Sequence, residues 1–357
     1  MATFGSLLRH YRLRAGLGLR TCAALLEERA STVSAIESGR RAPWRRDRVL
    51  GRVAEVLGLV ENSQLWQKML ATAKTGSTNC LETSGSLVWW WTTEDCPTLK
   101  NETVQQLANF VGATFEYKDR HPQTDSPLTE LAIEWRVRQL LGQRSTQIAT
   151  APVDVEAVLE NEANIRIEIL PGLIPRYSVQ ACVVRSAGQT TLLVDRIVAD
   201  SRPMAAYRLL LAQNYAPAAL GCPLDEMHDA SWFLDQQADE KWASTAHDCE
   251  RFALSMLLPA KPVLNGAECA YRELVEQQGW VEIDIATRWV RNRLAEQFAV
   301  PPALVQRRLL GWPCHLYGRI AQALAAEESA LPPLDWLPED VPTRQRMLFE
   351  KRVPIGA

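Results

Sequence analysis

The sequence predicts a mainly α protein with a small β-sheet. Apolar residues recur at helical spacing along most of the 357 residues. Three short runs rich in Ile, Val and Leu, at 166–170, 179–185 and 190–194, read instead as strands. Polar, Gly-, Ser- and Pro-rich stretches break the chain into parts, and a length of 357 with 47% apolar residues suits two or three domains with sizeable cores.

Residues 4–15 form an amphipathic helix with Leu7, Leu8 and Tyr11 as its apolar stripe. Residues 16–43 then read as two short helices joined by a tight turn. In the first, residues 19–26, Cys22, Ala23 and Leu26 share one face; in the second, residues 29–38, Val33 and Ile36 do. Gly39 can take the positive φ that ends such a helix. Pro43 opens a further helix, 44–57, with Val49, Leu50, Val53 and Leu57 inward and Gly58 as its stop, and a short helix covers 66–73. Over residues 4–59, including the run Ile36-Glu37-Ser38-Gly39-Arg40-Arg41, this pattern resembles the helix-turn-helix of phage repressors and Cro, the XRE family.

Charge agrees with a nucleic-acid partner. Residues 1–60 hold eleven Arg, no Lys and five acidic residues, a net +6, while the whole chain is −3. Cationic charge is thus concentrated at one end, as phosphate binding requires. The resemblance puts the DNA-binding set at Arg20, Arg29, Ala30, Ser31, Thr32, Ser34, Ala35, Ser38, Arg40, Arg41 and Arg45. Ala30, Ser31, Ser34 and Ala35 fall on its base-reading positions, and Arg29, Arg40 and Arg41 at helix ends where phosphate contacts are expected. The reading side chains are short, and Leu19 stands where the family often has Gln, so few bidentate base contacts are available. DNA shape and half-site spacing would then decide more of the selectivity.

Residues 63–127 read as a Trp-rich connecting segment. The run KTGSTNCLETSGS is turn-rich, LVWWWTT suits a strand, a docking segment or a dimer contact, 103–112 looks helical, and 119–127 is a loop. Helices are expected at 128–141, 152–162, 204–212, 246–258, 285–298 and 303–310, with Gly188-Gln189 as a hairpin turn. The tail 327–357 is Pro-rich.

Over 128–312 the order helix, helix, strands, helices resembles the zinc-peptidase-like family of the ImmA and IrrE regulators. Pro152-Val153-Asp154, then Phe252-Ala253 with Leu257-Leu258-Pro259, then 294–309 match its landmarks in order. The resemblance implies an α+β metallopeptidase-like regulatory domain at 128–326, after the all-α domain at 1–62. Its zinc motif, His-Glu-x-x-His, is overwritten. Gln213 and Pro217 stand for the two His, and Asn214 for the Glu that takes a proton from the bound water. Proline should also kink or end that helix near Ala216. His247 or Asp248 could supply one acidic or imidazole ligand, which alone does not hold zinc. The resemblance therefore implies a pseudo-peptidase whose vestigial cleft, with Arg208, Gln213, Asn214, Pro217, His247 and Asp248, either binds a ligand or is filled by side chains.

No run of about 18 apolar residues is present to span a membrane. The eight Cys are scattered without a Cys-x-x-Cys pair and read as reduced thiols. The expectation is a cytoplasmic, DNA-binding transcriptional regulator, a homodimer on double-stranded DNA, with no cofactor, no catalytic residues, and a small-molecule or protein effector. Two alternatives stand beside it: a metallopeptidase with rearranged ligands that cleaves a repressor, and an interaction module that antagonises another regulator. Elemental analysis separates the first alternative: the purified chain should hold no stoichiometric zinc, because a catalytic site needs three protein ligands.

Overall fold

The computed structural model describes residues 3–44, 47–59, 64–74, 85–93, 99–115, 130–141, 152–162, 165–186, 189–220, 240–311 and 314–332. Along the chain these form α1 (Phe4–Arg14), α2 (Leu19–Leu25), α3 (Ala30–Glu37), α4 (Asp47–Val56), α5 (Gln64–Lys74), β1 (Gly85–Thr92), α6 (Asn101–Phe110) and β2 (Ala113–Thr114). Next come α7 (Glu130–Leu141), α8 (Val155–Glu162), β3 (Ile165–Leu170), α9 (Leu173–Tyr177), β4 (Val179–Ser186), β5 (Gln189–Asp195) and α10 (Arg196–Ser201). Then follow α11 (Met204–Ala219), α12 (Glu240–Leu257), α13 (Ala260–Gln278), α14 (Ile283–Phe298), α15 (Pro302–Leu310) and α16 (Leu316–Ala325). The fold is mainly α with a small β-sheet. No helix among the described residues is long and apolar enough to cross a membrane.

The chain divides into two compact units. The first comprises Met1–Pro122, Asp154–Tyr207 and Pro223–Ala238; the second comprises Gln123–Val153, Arg208–Cys222 and Asp239–Ala357.

In the first unit, Thr3 and Ser6 start α1 with a reciprocal capping box: Ser6 N–H donates to Thr3 Oγ1 (3.1 Å) and Thr3 N–H to Ser6 Oγ (2.9 Å). Phe4 and Leu8 of α1 join Leu19, Cys22, Leu26, Val33 and Ile36 in a buried core. Gly5 lets α1 lie directly on the end of α3, since a Cβ there would sit 2.1 Å from the Ile36 carbonyl oxygen. Glu27, between α2 and α3, takes a left-handed φ of 56° and pairs with Arg52 at 2.7 Å. Gly58 ends α4 at φ 64°.

The strands form one mixed sheet, order β2-β1-β4-β5-β3. β4 runs antiparallel to β1 and β5, and β3 lies parallel to β5 at the edge, Ile169 opposite Val194. The Trp-rich run is therefore a strand. Trp90 is opposite Cys182 and is buried with Leu87, Val104, Leu107, Leu173 and Val184, its ring edge-on to Phe115 at 5.8 Å. Burial at 2% makes Trp90 a core residue and leaves it no dimer surface. The described residues of the span 63–127 thus supply two strands and two helices to the first unit.

The second unit is helical among the described residues. α7 packs on α12, and α14 packs on α13, α15 and α16. Glu134 accepts hydrogen bonds from Ser255 Oγ (2.6 Å) and from Arg308, which also donates to the Leu258 carbonyl at 3.0 Å. One expectation is corrected. α11 runs through Pro217 to Ala219; proline there removes a single backbone donor one turn from the helix end, and Leu220 N–H still reaches the Ala216 oxygen at 2.9 Å. α13 and α16, like the short α9 and α10, are not expected from the sequence pattern. The loop 119–127, Gly188 and the tail from 333 lie outside the described residues.

Gly5→Ala should force α1 off α3, because backbone atoms block the new methyl. A loss of about 1–3 kcal/mol is expected, read as a lower denaturant midpoint for the first unit.

Candidate nucleic-acid interface

The two-helix element is built as a helix-turn-helix needs. Leu19, Cys22 and Ala23 of α2 face Val33 and Ile36 of α3 across a short turn, and every one of them is buried. That leaves the other side of α3 as the face for Ser31, Ser34, Ala35 and Ser38.

In this structure that face is not open. α3 lies against the edge strand β3 and against α10. Ser34 is 2% exposed, and its Oγ accepts the Ile169 N–H at 2.9 Å. Ser31 donates its backbone N–H (3.1 Å) and its hydroxyl (2.7 Å) to the two oxygens of Asp200. Ala30 and Thr32 are buried, Ala35 and Ser38 half-buried, and Ser38 Oγ donates to the Ser34 carbonyl at 2.8 Å.

The cationic residues divide. Arg40 donates to the Ile169 carbonyl at 2.9 Å and sits 3.7 Å from Glu168. Burial lowers its pKa and Glu168 restrains that fall. Arg20 donates to the Arg202 carbonyl at 2.9 Å, and its guanidinium lies 4.9 Å from the centre of the Tyr207 ring. Arg29 and Arg41 are exposed, Arg41 reaching Thr32 Oγ1 at 3.3 Å. Arg45 lies outside the described residues.

Further acidic residues, missed in the sequence, complete the contact. Asp154 accepts Gly18 N–H (3.0 Å) and Thr21 Oγ–H (2.7 Å), and Glu156 accepts Arg20 N–H (2.6 Å). Glu160, one helical turn on from Glu156 and so on the same face of α8, pairs with Arg12 (2.6 Å) and Arg9 (3.1 Å). Arg12 is fully buried and also grips both oxygens of Glu37, at 2.8 and 2.9 Å. Burial alone would lower its pKa, but Glu37 and Glu160 hold it well above the ordinary value. The one local signal for these acids was the spacing 154, 156, 160 around the start of a helix.

The residues expected to line a vestigial cleft are placed apart in role. Arg208 donates to the carbonyls of Phe298, at 3.1 Å, and of Ala299, closing the C-terminal end of α14. Asn214 turns its amide back to the Leu210 carbonyl of its own helix at 2.8 Å. Pro217 and Asp248 are buried, Gln213 half-buried and His247 exposed. A cavity of about 280 Å³ in the second unit is lined by Glu134, Ser255, Arg308, His247, Arg251 and Arg307 among others, and by none of Arg208, Gln213, Asn214, Pro217 or Asp248. Among the described residues, no three His, Cys, Asp or Glu side chains are grouped to hold a metal.

A family model described as a helix-turn-helix domain matches residues 3–63. Comparison with curated proteins found no match, and comparison with solved structures found none either. The N-terminal residues are therefore a helix-turn-helix domain.

Glu156 gives this contact a pH dependence. Burial, with Asp154 nearby, raises its pKa from 4.5 to about 8, against the opposing hydrogen bonds from Tyr207 and Arg20. The folded state then binds a proton the unfolded state releases, so the contribution of Glu156 to stability is fully present below about pH 4.5 and is lost as pH rises through about 8. Glu156→Gln should remove that slope and stabilise the first unit above pH 8 by on the order of 1–4 kcal/mol, as measured by unfolding across pH 5 to 9.

Proposed function

We propose that this protein is a sequence-specific DNA-binding transcriptional regulator of the XRE type, whose remaining residues regulate the N-terminal domain. The observation that supports it best is the helix-turn-helix over residues 3–63, on a segment carrying +5 in a chain of −3. The exposed Arg29 and Arg41 flank α3 at both ends, where phosphate contacts orient a recognition helix. Paired half-sites would call for a homodimer.

On this reading the ImmA/IrrE-like resemblance marks a regulatory scaffold and not a working peptidase. Its support is chemical. Gln213, Asn214 and Pro217 replace two ligands and a base on one helix, and none of the three can take over zinc ligation with water activation. No cofactor is required.

Genome-wide occupancy of the full-length protein tests the proposal. Discrete sites sharing a motif are expected, and an Arg29→Ala/Arg41→Ala double variant should lose all of them alike. On a selected site, six to ten phosphate contacts would cost about 10³–10⁵ in affinity between 50 and 200 mM salt. Occupancy without enriched sequences, together with salt-independent binding, would refute it.

A further inference from the structure

We infer that the first unit holds its helix-turn-helix in a closed state, in which the chain's own carboxylates and a strand edge occupy the surface meant for DNA. This rests on the DNA-binding reading above and adds its regulation.

Three features in or just after α3 meet the surface made by β3 and α10. Its N-terminal amide and hydroxyl, at Ser31, are taken by Asp200. Its mid-face hydroxyl, at Ser34, accepts the Ile169 N–H and is 98% buried. The arginine following it, Arg40, is taken by the Ile169 carbonyl and faces Glu168. Phosphate oxygens and base edges offer anions and hydrogen-bond partners to these same groups. Asp200 places a carboxylate there without DNA, and Glu168 lies between Arg40 and Arg166, 2.6 Å from the latter.

The strand side explains why the contact is stable. Among the described residues β3 is an edge of the sheet, paired with no strand but β5, so the outward N–H and C=O of Ile169 need partners. α3 supplies Ser34 and Arg40 to them. Asp154 and Glu156 fix α2 in the same way, through Gly18, Arg20 and Thr21. The fit is close at Gly18, where a Cβ would lie 2.2 Å from Asp154 Oδ1. A duplex cannot reach the reading face while these bonds stand, so DNA and the β3–α10 surface compete for α3.

The test uses the full-length chain with a fluorescent random-sequence duplex of about 30 base pairs at low salt. Asp200→Ala removes the carboxylate from Ser31 and leaves every residue of the helix-turn-helix intact. Gly18→Ala pushes Asp154 away from the other side and guards against a folding defect in the first variant. Each should bind the duplex about tenfold or more tightly than wild type, the equivalent of one charge-assisted hydrogen bond. Hydrogen exchange gives a second reading: duplex should raise the exchange of the Ile169 amide while slowing that of α3. Equal affinities, with Ile169 still protected in the bound protein, would overturn the closed state and leave DNA binding standing. Absence of binding by wild type and both variants would overturn closure and DNA binding together.

Discussion

The guanidinium of Arg12 sits fully buried between Glu37 of α3 and Glu160 of α8, and three segments distant in sequence meet on it. Such a charge is tolerated only because its donors are filled: four bonds go to the two carboxylates and one to the Leu17 carbonyl at 2.9 Å. Removing one partner of a buried pair typically costs about 3–5 kcal/mol. Here the loss would leave two acids facing each other. Burial already pushes the Glu160 carboxyl up, and Arg12 works against that push. Once Arg12 fixes α8 beneath α1, Asp154 and Glu156 fall at the start of α2, and β3 follows α8 onto α3.

The helix-turn-helix was legible because its information is local. Val33 and Ile36, the small Ala23 and the positive-φ Gly39 all act within a few residues of one another, and the helix limits agree with the sequence to within a residue. What α3 packs against was not legible. Ser34 and Ile169 are 135 residues apart, Ser31 and Asp200 are 169 apart, and no period or cap links such pairs. The same holds for β1: its apolar run allowed a strand, but only its pairing with β4 decides that Trp90 faces the core.

In the second unit the letters of a motif could be matched, yet the roles differ from those the match implied. Arg208 serves the end of α14, because Phe298 and Ala299 leave carbonyls there that a buried guanidinium can satisfy. Asn214 satisfies its amide within its own helix. Pro217 is accommodated because it lies in the last turn of α11. Sequence position located these residues on one helix; their hydrogen bonds depend on α14, whose approach nothing near residue 208 announces.

The placement of α3 over β3 also bears on how this chain avoids sticking to itself. Natural sheets guard their edges with charge, proline or a covering element, since an uncovered edge is a template for another strand. Here Ile167 and Ile169 alternate with Arg166 and Glu168 along the edge strand, and the cover is α3. Lifting the helix-turn-helix therefore bares the amide and carbonyl of Ile169 on a strand with Ile167 and Ile169 on one face and Arg166 and Glu168 on the other. On the proposed closed state, availability for DNA and protection against strand-to-strand aggregation are set by one contact, and a change that loosens it in favour of the first acts against the second.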